Sequence, residues 1–267
     1  MRRLRRFFSF QPIVQKGQLI SLPPEETHHL KNIIRLATGD ACLVTDGLGS
    51  EARARILSFD ARGSCSLIVE TVTRTFPQEQ SKVKIRVLQA LAHKGVLEEL
   101  IEKAQEIGID EFWPIQTKNS TLKIRREDEA RILARWQKKV KEAAKQSGTL
   151  KLTTIQPVQT FEKAIGRILP GEKIIIFHPA EDAIPFRQWL EEVESEAASG
   201  PITCHICFGP EGGFAREEIE FVRNQSESKE ISCRMVTLGR SILRIDTAFL
   251  GVVLALKLFL GAGKWKS

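Results

Sequence analysis

Two short runs hold the residues whose types and spacing suit chemistry. GPEGGF, residues 209–214, sets one carboxylate, Glu211, among three glycines and a proline, straight after the apolar run ITCHICF and before a helical segment. LGRSILRIDTA, residues 238–248, again puts a glycine behind an apolar run and then carries Arg240, Arg244 and Asp246 into an apolar helix. A strand feeding a helix through glycines collects main-chain N–H groups at the helix start and lets a ligand reach the main chain. Two arginines beside such a turn suit a bound anion or an RNA phosphate, although either one alone also suits a helix-end ion pair. Neither run is a nucleotide loop of known spacing. GPEGGF lacks the GxGxxG pattern, and GAGKW at 261–265 has no glycine five residues before Gly263 and no Ser or Thr after Lys264.

Two further clusters carry less. CHIC, residues 204–207, has metal-like spacing, but it sits on a predicted strand, where positions three apart point to opposite faces, and no second ligand pair accompanies it. Buried packing is the better reading of Cys204 and Cys207, and His28-His29 reads as part of a short helix. No metal site is expected.

The elements that position these runs follow from periodicity. QLISL, ACLVTDG, ARARILSF and CSLIVETV, separated by turns such as Asp46-Gly47 and Arg62-Gly63-Ser64, predict a small β-rich domain, a barrel, interrupted by a short helix over PEETHHLKNIIRL. TRTFPQEQSK, residues 73–82, reads as a linker. Beyond it the period changes. KIRVLQALA, EFWPIQ, KIIIFHP, ITCHICFGP and RMVTLG read as apolar strands. Helices are expected over GVLEELIEKAQEIG, over the stripe Ile132, Leu133, Trp136, Val140, Ala143 and Ala144, and around 184–197, 214–225 and 245–260. Strands alternating with helices imply a mostly parallel sheet covered on both faces, with ligands beyond the strands' C-terminal ends.

Charge is unevenly spread. The 267 residues carry 40 Lys and Arg against 33 acids, a net +7, and residues 117–151 alone hold eleven basic and four acidic side chains. Residues 1–24 add five basic groups and no acid. Two such patches suit a phosphate backbone, or else a solvated helix face and a frayed terminus. Five cysteines, an odd number at irregular spacing, do not make a disulfide framework and point to a reducing cytoplasm. The apolar run after the basic start MRRLRRFFSFQP is cut by Ser9, Gln11 and Pro12, too soon for a signal peptide. AFLGVVLALKLFLGAG contains Lys257 and is shorter than the ~20 residues of a membrane span, so a buried helix is expected there.

GPEGGF followed about 25 residues later by LGRSILRIDTA resembles the paired signature of the RsmE-type methyltransferases, members of the SPOUT class that methylate N3 of a uridine in small-subunit ribosomal RNA. LRRFF, HHLKNIIRLATGD at 28–40, KGVLEELIEKAQEIGI at 94–109 and EAAKQSG at 142–148 resemble that family's other blocks, in the same order. The resemblance implies a PUA-like β-barrel over residues 1–74 and, over 75–267, an α/β methyltransferase domain with a C-terminal trefoil knot. It also implies a homodimer and S-adenosylmethionine as methyl donor. The cofactor would lie among three loops, which here are Phe177, His178 and Pro179; Phe208, Gly209, Pro210, Glu211, Gly212 and Gly213; and Leu238, Gly239, Ile242, Leu243 and Arg244. The family commonly has Glu where Asp246 stands, and an arginine after QSG where this chain has Thr149 and Leu150 before Lys151.

Methylation of a uracil N3 needs alignment, removal of the N3 proton and stabilisation of the uracil anion, but no covalent nucleophile. Arg244 and then Arg240 are the expected electrostatic groups. Glu211 or Asp246 is placed to accept the proton or to order its loop. The N3 edge pairs in a duplex, so the target is expected to be unpaired. Arg5, Arg6, Arg35, Lys94, Lys138, Lys139, Lys141 and Lys145 are the expected RNA contacts. The alternatives are a noncatalytic RNA-binding or assembly factor and a related SPOUT enzyme with another RNA target.

Overall fold

A computed structural model describes residues 4–75 and 82–260. The chain divides into two compact units, Met1–Glu79 with Lys141–Leu152, and Gln80–Val140 with Thr153–Ser267.

In the first unit, strands β1 (Arg6–Phe8), β2 (Leu19–Leu22), β3 (Ala41–Thr45), β4 (Ser50–Phe59) and β5 (Cys65–Thr75) pair in the order β1-β3-β4-β5-β2. The pairing of β1 with β3 is parallel and the rest are antiparallel. Strand β4 shows why it forms. Ala52, Ala54 and Ile56 are buried while Arg53, Arg55 and Leu57 alternate with them outwards, the period of a half-buried strand. Arg53 and Arg55 then reach Glu70 on β5, at 3.1 and 2.6 Å. Register shifts between β4 and β5 curl the sheet into a half-barrel around Phe7, Leu22, Leu30, Val44 and Leu67. The expected inserted helix is α1 (Pro24–His28), with Pro24 at its start and acids in its first turn; it continues as a π turn over His29–Ile33. Buried Glu26 anchors it by accepting from the Phe8 N–H at 3.0 Å and from Lys145 Nζ at 2.6 Å. The linker expected over 73–82 needs correction. Its first residues continue β5, whose pairing with β4 reaches Thr75, and residues 76–81 lie outside the described residues.

The second unit runs β6 (Val83–Ala90), α2 (Lys94–Ile107), β7 (Glu111–Gln116), α3 (Arg126–Ser147), β8 (Thr154–Ile155), β9 (Gln159–Thr160), α4 (Phe161–Gly166) and β10 (Lys173–Phe177). It continues with β11 (Ile184–Pro185), α5 (Phe186–Ser199), β12 (Ile202–Phe208), α6 (Arg216–Lys229), β13 (Ser232–Thr237) and α7 (Ile245–Leu260). The last turns of α3, from Lys141, belong to the first unit. The strands make one sheet in the order β11-β13-β10-β12-β6-β7-β8, with β9 also on β7, and every pairing is parallel. Its central strands are mostly apolar because helices cover both faces, with polar positions such as Lys84 and Arg86 on β6 and His205 on β12. On one face Leu88, Ile174, Ile176 and Cys207 pack with Phe161, Phe214, Ile219 and Val222. Cys204 is buried too, and burial pushes its thiol up to about 12 and that of Cys207 well above the ordinary range, as suits inert packing groups. Helix α4 was not read from the sequence. It has the N-cap Thr160, which accepts from the Lys163 N–H at 3.3 Å, and buries Phe161, Ala164 and Ile165. Among the described residues no helix is long and apolar enough to cross a membrane.

A polar cluster sits within this unit. Glu172 accepts from Arg86 Nη1 and His205 Nε2, both at 2.9 Å, and Glu111 accepts from Lys84 at 2.6 Å and from the Trp113 indole at 2.9 Å. Burial pushes both carboxyls up. Hydrogen bonds from Lys84 and Trp113 with the Arg86 charge, and from His205 and the Leu169 N–H with Arg86, outweigh it and bring each down to about 2. Burial holds His205 below its ordinary value, so it is neutral and donates its Nε2–H to Glu172. The signs follow from linkage. The carboxylate contribution is complete above pH ~4.5 and disappears as pH falls towards 2, and charging of His205 adds a loss below pH ~6.5. Urea midpoints should therefore fall progressively as pH drops below about 6.5 and more steeply below about 4.5. Glu172→Gln should be less stable at pH 7 and flatter below pH 4.5. An unchanged acid slope in that variant would remove Glu172 as its source.

Candidate active site at the ends of three parallel strands

Strand β10 lies between β12 and β13, parallel to both. Ile176 is level with Cys207 and Phe177 with Val236, so all three strands end together at one edge. The loops at 177–179, 208–213 and 238–244 leave from that edge. Beneath them Phe177 stacks on Phe208 at 5.1 Å with the rings 9° from parallel, Phe208 meets Phe249 of α7 at 5.5 Å, and Phe177 meets Phe186 at 5.7 Å. This aromatic layer supports the loops from below.

The GPEGGF loop is held tightly. The Gly213 N–H donates to the Pro210 carbonyl at 2.8 Å, and Gly213 has φ +69°. At Gly209 a Cβ would come to 3.0 Å from the Phe214 ring, which is buried in the core, so a side chain there would displace it. A neighbouring loop grips the turn from outside. Asn119 Nδ2 donates to the Gly213 and Gly212 carbonyls at 3.1 and 3.3 Å. Glu218, 1% exposed, divides its carboxylate between two main-chain donors, the Lys118 N–H on Oε1 at 2.9 Å and the Ala215 N–H on Oε2 at 2.8 Å. It thereby caps α6 and ties residue 118 to residue 215. Thr117 and Ser120 close the gripping loop, with the Thr117 N–H donating to Ser120 Oγ at 3.0 Å.

The 238–244 loop is open by comparison. Gly239 has φ +123°, a conformation that side-chain-bearing residues rarely adopt, and a Cβ there would stand in open space. Leu238, Ile242 and Leu243 are exposed apolar side chains. Arg244 is 82% exposed and lies 3.6 Å from Asp246 Oδ1, which also accepts from the Thr247 N–H at 2.8 Å. Arg240 and Glu211 are exposed and make no ion pair among the described residues. Burial and the Arg223 guanidinium hold the His178 imidazole below its ordinary value, so it is neutral at pH 7. Pro179 is exposed beside it. Among the described residues no group of three or more His, Cys, Asp or Glu is arranged to hold a metal ion.

The expected RNA contacts divide into two kinds. Arg5, Arg35 and Lys138 are exposed, and Lys141 lies over the exposed Phe10 ring, 4.6 Å from its centre. Arg6 instead pairs with buried Glu51 at 2.5 Å, Lys145 with Glu26, and Lys139 with Glu102. Those three cations neutralise carboxylates of their own chain. The Lys94 side chain lies outside what the structure describes. Asn119 and Glu218 were missed in the sequence. Glu218 had a partial signal, an acid at the third position of a helix, but the cap position holds Ala215 in place of Ser or Thr.

The model of the RNA methyltransferase domain matches residues 79–257, and that of the RNA methyltransferase PUA domain matches residues 22–69. The chain belongs to the RNA methyltransferase family. It is 26% identical over 235 residues to the Bacillus subtilis protein named ribosomal RNA small subunit methyltransferase E, with 88% of each chain covered. Its fold is that of the Neisseria gonorrhoeae ribosomal RNA small subunit methyltransferase E solved bound to S-adenosylmethionine, with a TM-score of 0.75, 22% identity, and 96% of this chain and 97% of that one covered. A candidate methyltransferase of Legionella pneumophila, also solved with the cofactor, gives a TM-score of 0.77 at 23% identity, covering 96% and 98%. Within this family fold the grip of Glu218 yields a direct expectation. In Glu218→Gln the side-chain NH2 must face a main-chain N–H, leaving one donor unpaired, a loss of about 1–3 kcal/mol in a urea melt. Faster hydrogen exchange at the Lys118 and Ala215 amides should accompany it. Wild-type stability and exchange would show that Glu218 does not hold the loop.

Proposed function

We propose that the chain transfers a methyl group from S-adenosylmethionine to N3 of an unpaired uridine in small-subunit ribosomal RNA. The observation that carries this reading is the meeting of three loops at one sheet edge in a chain of the RNA methyltransferase family. Relatives named for small-subunit ribosomal RNA methylation, and a structural neighbour with bound S-adenosylmethionine, support it.

The residues at the edge fit that cofactor. Arg240 through Leu243 carry main-chain groups with no hydrogen bond among the described residues, and Leu238, Ile242 and Leu243 offer an apolar face to a purine ring. Residues 177–179 and 208–213 supply the other two walls, over the stacked phenylalanines. When bound there, S-adenosylmethionine supplies an electrophilic methyl group on a sulfonium. The chain's own task is to align the uracil in line with it and to stabilise the charge that appears as N3 loses its proton. Arg244 is free to turn towards that charge, since its pairing with Asp246 is long and exposed. Arg240 adds positive charge on the same loop. Asp246 accepts from the Thr247 N–H and so orders the start of α7, which leaves Glu211 as the carboxylate available to accept the proton.

Residues 1–74 and the outward cations of α3 position the RNA in this account, and residues 75–267 carry the transfer. The order β13-β10-β12, in which the last long strand lies beyond β10, supports the trefoil knot. A homodimer is supported by Leu250, Leu254 and Leu258, an exposed apolar stripe at helical spacing on α7. Sedimentation showing only monomer at micromolar concentration would remove it. Five free cysteines suit a reducing cytoplasm. The test of the reaction is Arg244→Ala with labelled donor and unmodified small subunits. Methyl transfer should fall by about 10²–10³-fold, the usual consequence of deleting one preorganised electrostatic group. Activity near that of wild type would exclude a catalytic role for Arg244.

A further inference from the structure

The segment that grips the GPEGGF loop goes on to form something else. Residues 122–125 run from it along α3 and, with α2, enclose a cleft of about 210 Å³. Its lining includes the apolar groups Leu97, Leu122, Ile132 and Trp136, while the ionisable groups on it are Lys123, Arg125, Arg131 and Arg135 against the single carboxylate of Asp128. The size is below the roughly 300–1,000 Å³ of sites that enclose a drug-sized ligand, and so suits a single base. Leu97 and Trp136 are buried beneath it, so the apolar surface it offers comes from Leu122 and Ile132, with guanidinium groups beside them. An unpaired base can lie on such a surface with its phosphate on the cations.

The cations are available in different degrees. Arg131 touches Asp128 at 2.6 Å and Arg125 lies 3.6 Å from Glu127, but the two arginines are 77% and 81% exposed. Such exposed pairs are worth little, and a phosphate competes with them readily. Arg135 is fixed by Glu98 at 2.5 Å, and its buried Nε has no hydrogen-bond partner among the described residues. Leu122 on the cleft wall stands three positions beyond Asn119, which holds the Gly212 and Gly213 carbonyls, a reach of at most ~11 Å. An extended strand of RNA covers that distance in one or two nucleotides.

We propose that this cleft receives an unpaired nucleotide flanking the methylated one, its base against Leu122 and Ile132 and its phosphates on Arg125 and Arg131. The inference rests on the methyl-transfer reading and adds to it a second point of RNA attachment on the transfer unit itself. The test compares the full chain with the double variant Arg125→Ala, Arg131→Ala, using filter binding of unmodified small-subunit RNA across a salt series. The variant should bind about tenfold more weakly or worse, with a log–log salt slope reduced by ~1.4, or ~0.7 for each phosphate on a single strand. Ile132→Trp, which fills the cleft, should weaken binding and leave the slope as in wild type. Circular dichroism melts of both variants report whether the fold is kept. Wild-type affinity and slope in the folded double variant would overturn the cleft while leaving the methyltransferase reading intact. A wild-type chain that binds this RNA but never methylates it would overturn both, since the flanking nucleotide is defined by the methylated one.

Discussion

The structure depends on the parallel pairing of β10 with β12 on one side and β13 on the other. Because the three strands run the same way and end in step, their loops leave from one edge, where the glycine-rich turns and the two arginines can act on the same object. A slip of one residue in β10 would turn Phe177 to the opposite face and remove the ring stacked on Phe208, so the register also fixes the floor of the site. The turns alone would not suffice. Glu218 and Asn119 hold the GPEGGF loop against the segment after β7, so the loop is fixed in one shape by its own chain.

The strands and long helices were legible because their patterns are local. Ala52, Ala54 and Ile56 alternate with Arg53 and Arg55, and α2 ends at Gly108, whose φ of +79° suits the left-handed cap expected after an amphipathic run. The glycine turns were legible for the same reason. Strand order, and with it the meeting of the loops, was available only by resemblance to a family, since periodicity carries no information on which strands are neighbours. Helix α4 escaped because six residues give less than two turns of pattern. The grip on the GPEGGF loop escaped because its partners lie about a hundred positions apart, as with Glu218 and the Lys118 N–H.

Charge illustrates the same limit. The excess over residues 117–151 suggested one basic face, yet the fold spends part of it internally. Arg135, Lys139 and Lys145 each neutralise a carboxylate of the chain, while Arg125, Arg131 and Lys138 face outwards. Counting cations along a sequence therefore overstates what a polyanion meets, because pairing at long separation is invisible in the count.

The central claim is that the three loops jointly present a methyl donor to an unpaired uracil. Incubating the protein with unmodified small ribosomal subunits and labelled S-adenosylmethionine, then locating the label in the RNA by nucleotide mapping, tests it most directly. The account predicts label at one unpaired uridine, on N3. Label on another base, label on another atom of uracil, or no label at all would contradict it.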